Sequence, residues 1–315
     1  MTTTFIETLI RKMHLDDSRI ITLTGAGGKT TLLYALSGYL SRTQNTLLTT
    51  TTHIVEPRDL PNAVLVTRED AAALRAAFLS SRLAALGIPV SGLSGAAGPL
   101  ETTAAADAAD RPASTTAASL AAADGHAPTT AASLAAADGH VLKWRAPSLS
   151  FLEEIRDIPV RIVCEGDGSR RMPVKIPRQG EPVLYPGTDT VIGVIGLSCL
   201  GQPASKCLFG RSAPEDHAHT TGSVFSADMA DNLQDYLGGA LRASGGRITP
   251  DILAQIALSG QGLRKGVTTQ HYHVLFNQAD CLDMAALRAM QETAQKIRDN
   301  GTDCHIVSLK HHIFY

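Results

Sequence analysis

The 315-residue sequence carries no excess of charge of either sign: 28 Lys and Arg stand against 30 Asp and Glu, a formal charge of -2. That balance leaves no electrostatic footprint for nucleic acid or an anionic membrane surface, and neither is expected as a partner. There is no apolar run of the ~20 residues that a bilayer-crossing helix needs. The opening stretch, MTTTFIETLIRKMHLDDSR, lacks a basic flank ahead of its short apolar segment, so a packed amphipathic helix is expected there rather than a secretory signal. Phe5, Ile6, Leu9, Ile10 and Met13 instead fall at the spacing of one helix face. The five cysteines (Cys164, Cys199, Cys207, Cys281 and Cys304) include no C-x-x-C pair. Reduced thiols, several of them in buried strands, and a cytoplasmic setting are therefore expected.

What the chain does have is an apolar strand that runs into a glycine turn. Residues 19–24 (RIITLT) lead straight into Gly25-Ala26-Gly27-Gly28-Lys29-Thr30-Thr31 and then a helical pattern. Glycines let backbone N–H groups turn toward phosphate oxygens without a Cβ in the way, and a helix start adds its positive end. Lys29 is placed to reach the β/γ oxygens of a nucleoside triphosphate, and the Thr30 hydroxyl to ligate Mg²⁺. The usual spacing, G-x-x-x-x-G-K-[ST], would put glycine at position 23, where this chain has Leu23. The loop is a variant, closer to the G-x-x-G-K-T-T of Mur-type ligases.

Strands are predicted at 19–24, 46–50, 63–67, 159–164, 190–195, 273–276 and 304–309, and helices over about 30–41, 69–86 and 283–298. Thr249-Pro250-Asp251 reads as one more helix start, threonine as cap and proline in the first position. The alternation predicts an α/β fold: a P-loop NTPase-like, mostly parallel sheet with helices on both faces and nucleotide at the carboxyl ends of the strands. From 95 to 140 the sequence is almost entirely Ala, Thr, Ser, Asp and Gly, and TTAASLAAADGH at 115–126 recurs unchanged at 129–140. Two copies are too few for a solenoid and there is little to bury. A disordered or transiently helical surface insertion is expected, interrupting a nucleotide-binding domain made of 1–94 and 141–315.

The strand ending at 164 opens onto Glu165-Gly166-Asp167-Gly168-Ser169-Arg170-Arg171. An acid at the carboxyl end of a buried strand, in a fold with a phosphate loop, is where a second Mg²⁺ contact belongs, and Glu165 fits. Asp167 is expected to orient a water, while Gly166 and Gly168 admit a γ-phosphate. Thr51, Thr52 and His53 leave the second strand as candidate γ-phosphate sensors, with Thr51 also a candidate Mg²⁺ ligand; plain β propensity explains the threonines equally well. Arg170, Arg171, Lys175 and Arg178 form a basic cluster. It either neutralises transition-state charge, Arg170 foremost, or binds an anionic second substrate, or is a solvated loop. Asn277-Gln278-Ala279-Asp280 sits where GTP-binding proteins carry N-K-x-D, and Ser308-Leu309-Lys310 sits where they carry S-A-K. Asn277, Asp280 and Ser308 are thus candidate base-binding residues, with guanine mildly favoured over adenine and an ordinary Asx-rich helix entry as the alternative. His217, His219, Cys199 and Cys207 match no standard zinc spacing.

Together, ITLTGAGGKTTLLYAL, LLTTTTHI, VCEGDGSRRMPVKIP, VIGVIGLSCLGQP, GRITPDILAQIALSGQGLRKG and VLFNQAD resemble the YqeC family of accessory proteins for selenium-dependent molybdenum hydroxylases. The resemblance covers most of the chain outside 95–140. The departures from its pattern are the alanine-rich repeat and CLFGRSAPED, which lacks the histidine expected before Arg211. It implies a nucleotide-binding α/β protein engaged in maturing a selenium-containing cofactor, with such a hydroxylase or its maturation proteins as partners. The phosphate loop followed by Glu165-Gly166 is also similar to the metallochaperone and dethiobiotin-synthetase branch of P-loop proteins, which implies a homodimer. Two other functions stay open: a small-molecule kinase or ATP-dependent ligase acting on an anion held by Arg170, Arg171 and Lys175, and a nucleotide-binding module without turnover.

Overall fold

The computed structural model describes residues 3–57, 60–90, 143–210 and 233–315. The repeat at 95–140, and His217 and His219, lie outside them. Helix α1 (Thr3–Lys12) precedes strand β1 (Ile20–Gly25) and α2 (Lys29–Leu40). There follow β2 (Thr46–Thr50), β3 (His53–Val55), β4 (Ala63–Val66), α3 (Ala71–Ser80), β5 (Leu83–Leu86) and β6 (Ile88–Pro89). The second stretch holds β7 (Lys143–Arg145), α4 (Leu149–Glu154), β8 (Arg161–Glu165), β9 (Val174–Lys175), β10 (Thr190–Gly196), α5 (Ala204–Cys207) and β11 (Leu208–Phe209). The last comprises α6 (Leu233–Ala243), α7 (Pro250–Leu258), β12 (His271–Asn277), α8 (Met284–Asp299), β13 (Asp303–Ser308) and β14 (Ile313–Phe314).

Nine strands form one sheet in the order β14-β13-β12-β10-β1-β8-β2-β5-β4. Every neighbouring pair is parallel except β13 with β14. Continuous apolar strands are what a sheet covered on both faces requires. Their period-two alternation assigns the faces: Ile192, Val194, Leu275 and Val307 join a core with Phe5, Ile6, Leu9 and Ile10 of α1 and Leu32, Leu33 and Leu36 of α2. Val191, Ile195, Val274, Phe276 and Ile306 point the other way, against α6, α7 and α8. The fold is a mixed α/β architecture with a mostly parallel sheet, consistent with a P-loop NTPase-like fold. Thr249 caps α7 as its sequence indicated, its hydroxyl accepting from the Ile252 N–H at 3.3 Å.

One predicted helix is corrected. Residues 69–86 divide into α3, capped by Asp70 through the Ala73 N–H, and the strand β5. Ser81 turns extended at the break (φ -149°). Leu83–Leu86 is then buried and pairs in parallel with both β2 and β4. Two small sheets were not foreseen: β3-β7-β6, and β11-β9. The second matters for function, because it braces the segment after the acidic turn.

Candidate functional site

Parallel strands deliver their carboxyl ends to one edge, so the turns after β1, β8, β10, β12 and β13 gather there. Gly25, Gly27 and Gly28 have φ of 91°, 78° and 138°, a left-handed run that side-chain-bearing residues resist. The loop is also hemmed in. A Cβ on Gly27 would come within 2.3 Å of Gly196 and 2.7 Å of the Pro173 carbonyl, and one on Gly28 within 2.3 Å of Asn277 Nδ2. The Gly25 N–H donates to both oxygens of Asp167, at 3.0 and 3.1 Å, and the buried Ala26 N–H to the Val194 carbonyl at 2.8 Å. Those bonds fix the entry to the loop. The amides from Gly27 to Thr31 follow at the start of α2, where a helix leaves its first N–H groups without internal partners.

Lys29, Thr30 and Glu165 meet beneath that turn. The Thr30 hydroxyl donates to Glu165 Oε2 at 2.9 Å. Lys29 Nζ lies 3.7 Å from Glu165 Oε1 and 3.3 Å from Asp167 Oδ1, and donates to the Gly25 carbonyl at 2.5 Å. Burial pushes the Glu165 carboxyl above its ordinary range, with Lys29 and the Thr30 hydroxyl pulling against it. An ionised Glu165 would therefore be stabilised by further positive charge. Hydroxyl and carboxylate oxygens are the hard ligands that Mg²⁺ takes, one or two from protein with the rest from phosphates and water. The donor set fits that ion. Among the described residues no group of three or more His, Cys, Asp or Glu side chains is arranged to hold a metal.

Asp167, expected to orient a water, is engaged with protein groups here. Its side chain is fully buried, taking two bonds from Gly25 and pairing with Lys29 and with Lys175 Nζ at 3.3 Å. Those contacts tie it to the start of the glycine loop. Lys175, read in the sequence as one of a basic cluster, is likewise fully buried. It contacts Glu181 Oε2 at 2.7 Å and donates to the Gly168 carbonyl at 2.6 Å. Although burial opposes it, the bond from Lys175, with the Arg178 N–H and charge, holds the Glu181 carboxyl below its usual range. Two lysines and three carboxylates thus interlock under the glycine loop. Nothing local in the sequence marks Lys175 or Glu181 as members, because their partners come from turns brought together only by the sheet.

Thr50 and Thr51 exit β2 as expected, but their hydroxyls donate to carbonyls: Thr50 to Glu165 at 3.0 Å, Thr51 to Val183 at 2.5 Å. Thr51 keeps only its oxygen lone pairs for a cation. The exposed His53 belongs to the small β3-β7-β6 sheet, while Thr52 Oγ1 comes within 3.7 Å of a Cβ built on Gly168. Of the remaining basic cluster, Arg170 and Arg178 place their guanidinium carbons 5.5 and 4.4 Å from the centre of the Phe209 ring.

On the far side of the loop, Asn277 donates from Nδ2 to the Gly27 carbonyl at 2.8 Å and accepts from the Leu309 N–H at 2.9 Å. It clamps the ends of β12 and β13 to the glycine turn. Asp280 accepts from the Ser308 hydroxyl at 2.7 Å, a bond that holds its carboxyl below the usual range. Gln278, in the left-handed region (φ 67°), turns away from that group and accepts from Ser198 at 2.7 Å. Asn277, Asp280 and Ser308 are therefore brought together, as their order along the chain suggested. Cys199 and Cys207 are buried free thiols.

No helix among the described residues is long and apolar enough to cross a membrane. A search of curated proteins and one of solved structures each returned no match. A family model described as YqeC protein matches residues 21–212, the stretch that contains the glycine loop, the acidic turn and the segment braced by Lys175. Because that match spans more than half of the sequence, the chain belongs to the YqeC family.

Proposed function

We propose that this chain binds a nucleoside triphosphate together with Mg²⁺ and hydrolyses it, in the service of maturing the selenium-containing cofactor of molybdenum hydroxylases. The observation that carries the first part is the Thr30–Glu165 bond of 2.9 Å at the foot of a left-handed glycine turn, with Lys29 Nζ beside the same carboxylate. Thr30 and Glu165 would hold the cation, whose contribution is to neutralise charge on the β/γ oxygens. Lys29 would exchange its contacts with Glu165 and Asp167 for phosphate oxygens, while the amides of Gly27 to Thr31 cradle the same group. Asp167 stays bonded to Gly25 and keeps the turn open. Asp280, braced at one oxygen by Ser308 and 3.5 Å from His311 at the other, would supply the paired acceptor that guanine N1–H and N2–H require, so GTP is the favoured nucleotide. The wider role rests on the resemblance of the segment that runs through EGDGSRRMPVKIP.

Phosphate release measured with GTP, ATP and CTP, with and without Mg²⁺, tests this. Mg²⁺-dependent turnover fastest with GTP is expected, reduced at least 100-fold by Thr30→Ala. Turnover equal in Thr30→Ala and wild type would remove the assignment of the cation ligands. Absence of turnover with every nucleotide, despite binding, would leave a nucleotide-responsive module.

A further inference from the structure

The strap that follows the acidic turn packs directly on the phosphate loop. The Pro173 carbonyl accepts the Gly196 N–H at 2.7 Å and lies 2.7 Å from where a Gly27 Cβ would sit. Just before it, Arg170 and Arg171 are both in the left-handed region, with φ of 49° and 63°. Consecutive left-handed residues that are not glycine are held only where their surroundings over-determine them, and such positions concentrate at ligand sites. Here the Met172 N–H bonds the Ser169 carbonyl at 2.9 Å, and Lys175 grips Gly168. Arg170 and Arg178 converge on the ring of Phe209, so their guanidinium carbons stand within about 10 Å of one another. Lys175, behind them, is neutralised by Asp167 and Glu181. Among the described residues no carboxylate comes within 4.0 Å of the charged groups of Arg170, Arg171 or Arg178, all of which are exposed, and the one acid that senses the Arg178 charge, Glu181, is bonded to Lys175.

We infer that Arg170, Arg171 and Arg178 form a second anion site beside the phosphate loop, one that takes a small molecule bearing a phosphate or carboxylate group. The guanidinium fork matches both groups through two parallel N–H···O bonds. Phe209 supplies a common platform that keeps two of the forks from collapsing onto nearby acids. The inference rests on the proposed nucleotide site, since it makes this anion the companion substrate next to the γ-phosphate. The strap's contact with Gly27 is what would let occupancy of one site be felt at the other.

The test is titration of inorganic phosphate and, separately, citrate into the full chain at constant ionic strength, by calorimetry. Wild type is compared with Arg178→Gln, Arg178→Lys, Arg170→Gln and Lys29→Gln, each shown by a cooperative melting transition to be folded at the titration temperature. Affinity for at least one of the two anions is expected to fall about tenfold in Arg178→Gln and Arg170→Gln, a factor of ten being 1.4 kcal/mol. Arg178→Lys, which keeps the charge but not the fork, should fall between, and Lys29→Gln should retain the site. Whichever anion shows the Arg178 dependence names the group. Loss in Lys29→Gln with no loss in the arginine variants would place the anion in the glycine loop, overturning the second site while leaving the nucleotide reading intact. No binding of either anion would overturn it too. GTP binding to wild type, measured alongside, decides the nucleotide reading independently.

Discussion

Replacing Asp167 by asparagine is the sharpest probe of the charge cluster. The side chain keeps its shape and one acceptor for the Gly25 N–H, but the charge shared by two buried ammonium groups is gone, leaving Lys29 with Glu165 and Lys175 with Glu181. Lys29 Nζ and Lys175 Nζ each lie 3.3 Å from an Asp167 oxygen, and the side chains of Lys175 and Asp167 are 0% exposed. Removing one partner of a buried pair typically costs about 3–5 kcal/mol, because the orphaned charge has no water to return to. For a chain of this size each kcal/mol moves the melting temperature by about 2–4 °C, so a fall of roughly 6–20 °C is expected. The double variant Asp167→Asn/Lys175→Met removes the orphan as well as the acid. It should recover part of the loss, with a coupling of about 1–3 kcal/mol between the two positions in urea unfolding. If Asp167→Asn unfolds within about 1 kcal/mol of wild type, as an exposed ion pair would, the cluster is solvated and the account of how the glycine turn is held open fails.

Further outcomes can be checked together. Gly27→Ala meets the Gly196 backbone and the Pro173 carbonyl at a φ of 78°, so it should lower stability and abolish nucleotide binding, while Gly38→Ala, where nothing lies within 4 Å, should not. Because burial raises the Glu165 pKa, the protonated form persists to higher pH than for an ordinary glutamate. Mg²⁺-dependent nucleotide affinity should thus weaken as pH falls, starting above the usual carboxylate range, and Glu165→Gln should flatten that profile in calorimetric titrations. Burial holds His273 at about 4, against an unperturbed 6.5. Between those values only the unfolded chain takes up the proton, so stability falls as pH drops, by at most roughly 3–4 kcal/mol at 1.36 kcal/mol per unit. His273→Gln should remove that component from the pH dependence of urea unfolding. Asp280→Asn presents a donor where guanine needs an acceptor and should reverse any preference for GTP over ATP in competition binding.

How far the sequence carried the account depended on whether a feature was local. The glycine turn, Lys29, Thr30 and Glu165 were legible because adjacent residues specify a strand, a left-handed bend and a helix start. The pairing of Asn277, Asp280 and Ser308 was readable from chain order, since parallel strands bring their exits to one edge. Alanine composition misled at 69–86: Ala84 and Ala85 sit in a buried parallel strand, where pairing with β2 and β4 overrides helix propensity. Asp167 and Lys175 are eight residues apart on an irregular strap, with no period to show that they face each other. Lysines are seldom buried unless paired, so the run Arg170, Arg171, Lys175, Arg178 read as one exposed patch although its third member turns inward.

The most direct test is the Mg²⁺ dependence of nucleotide-induced stabilisation, followed as a melting shift in wild type and Lys29→Gln. At free Mg²⁺-GTP of 100 times its dissociation constant, mass action predicts about 2.7 kcal/mol of added stability, a rise of roughly 5–11 °C at this chain length. The rise should largely disappear without Mg²⁺ and in Lys29→Gln. A full shift in Lys29→Gln, or no shift with any triphosphate, would contradict the claim that the glycine turn and Glu165 together hold a polyphosphate and its cation.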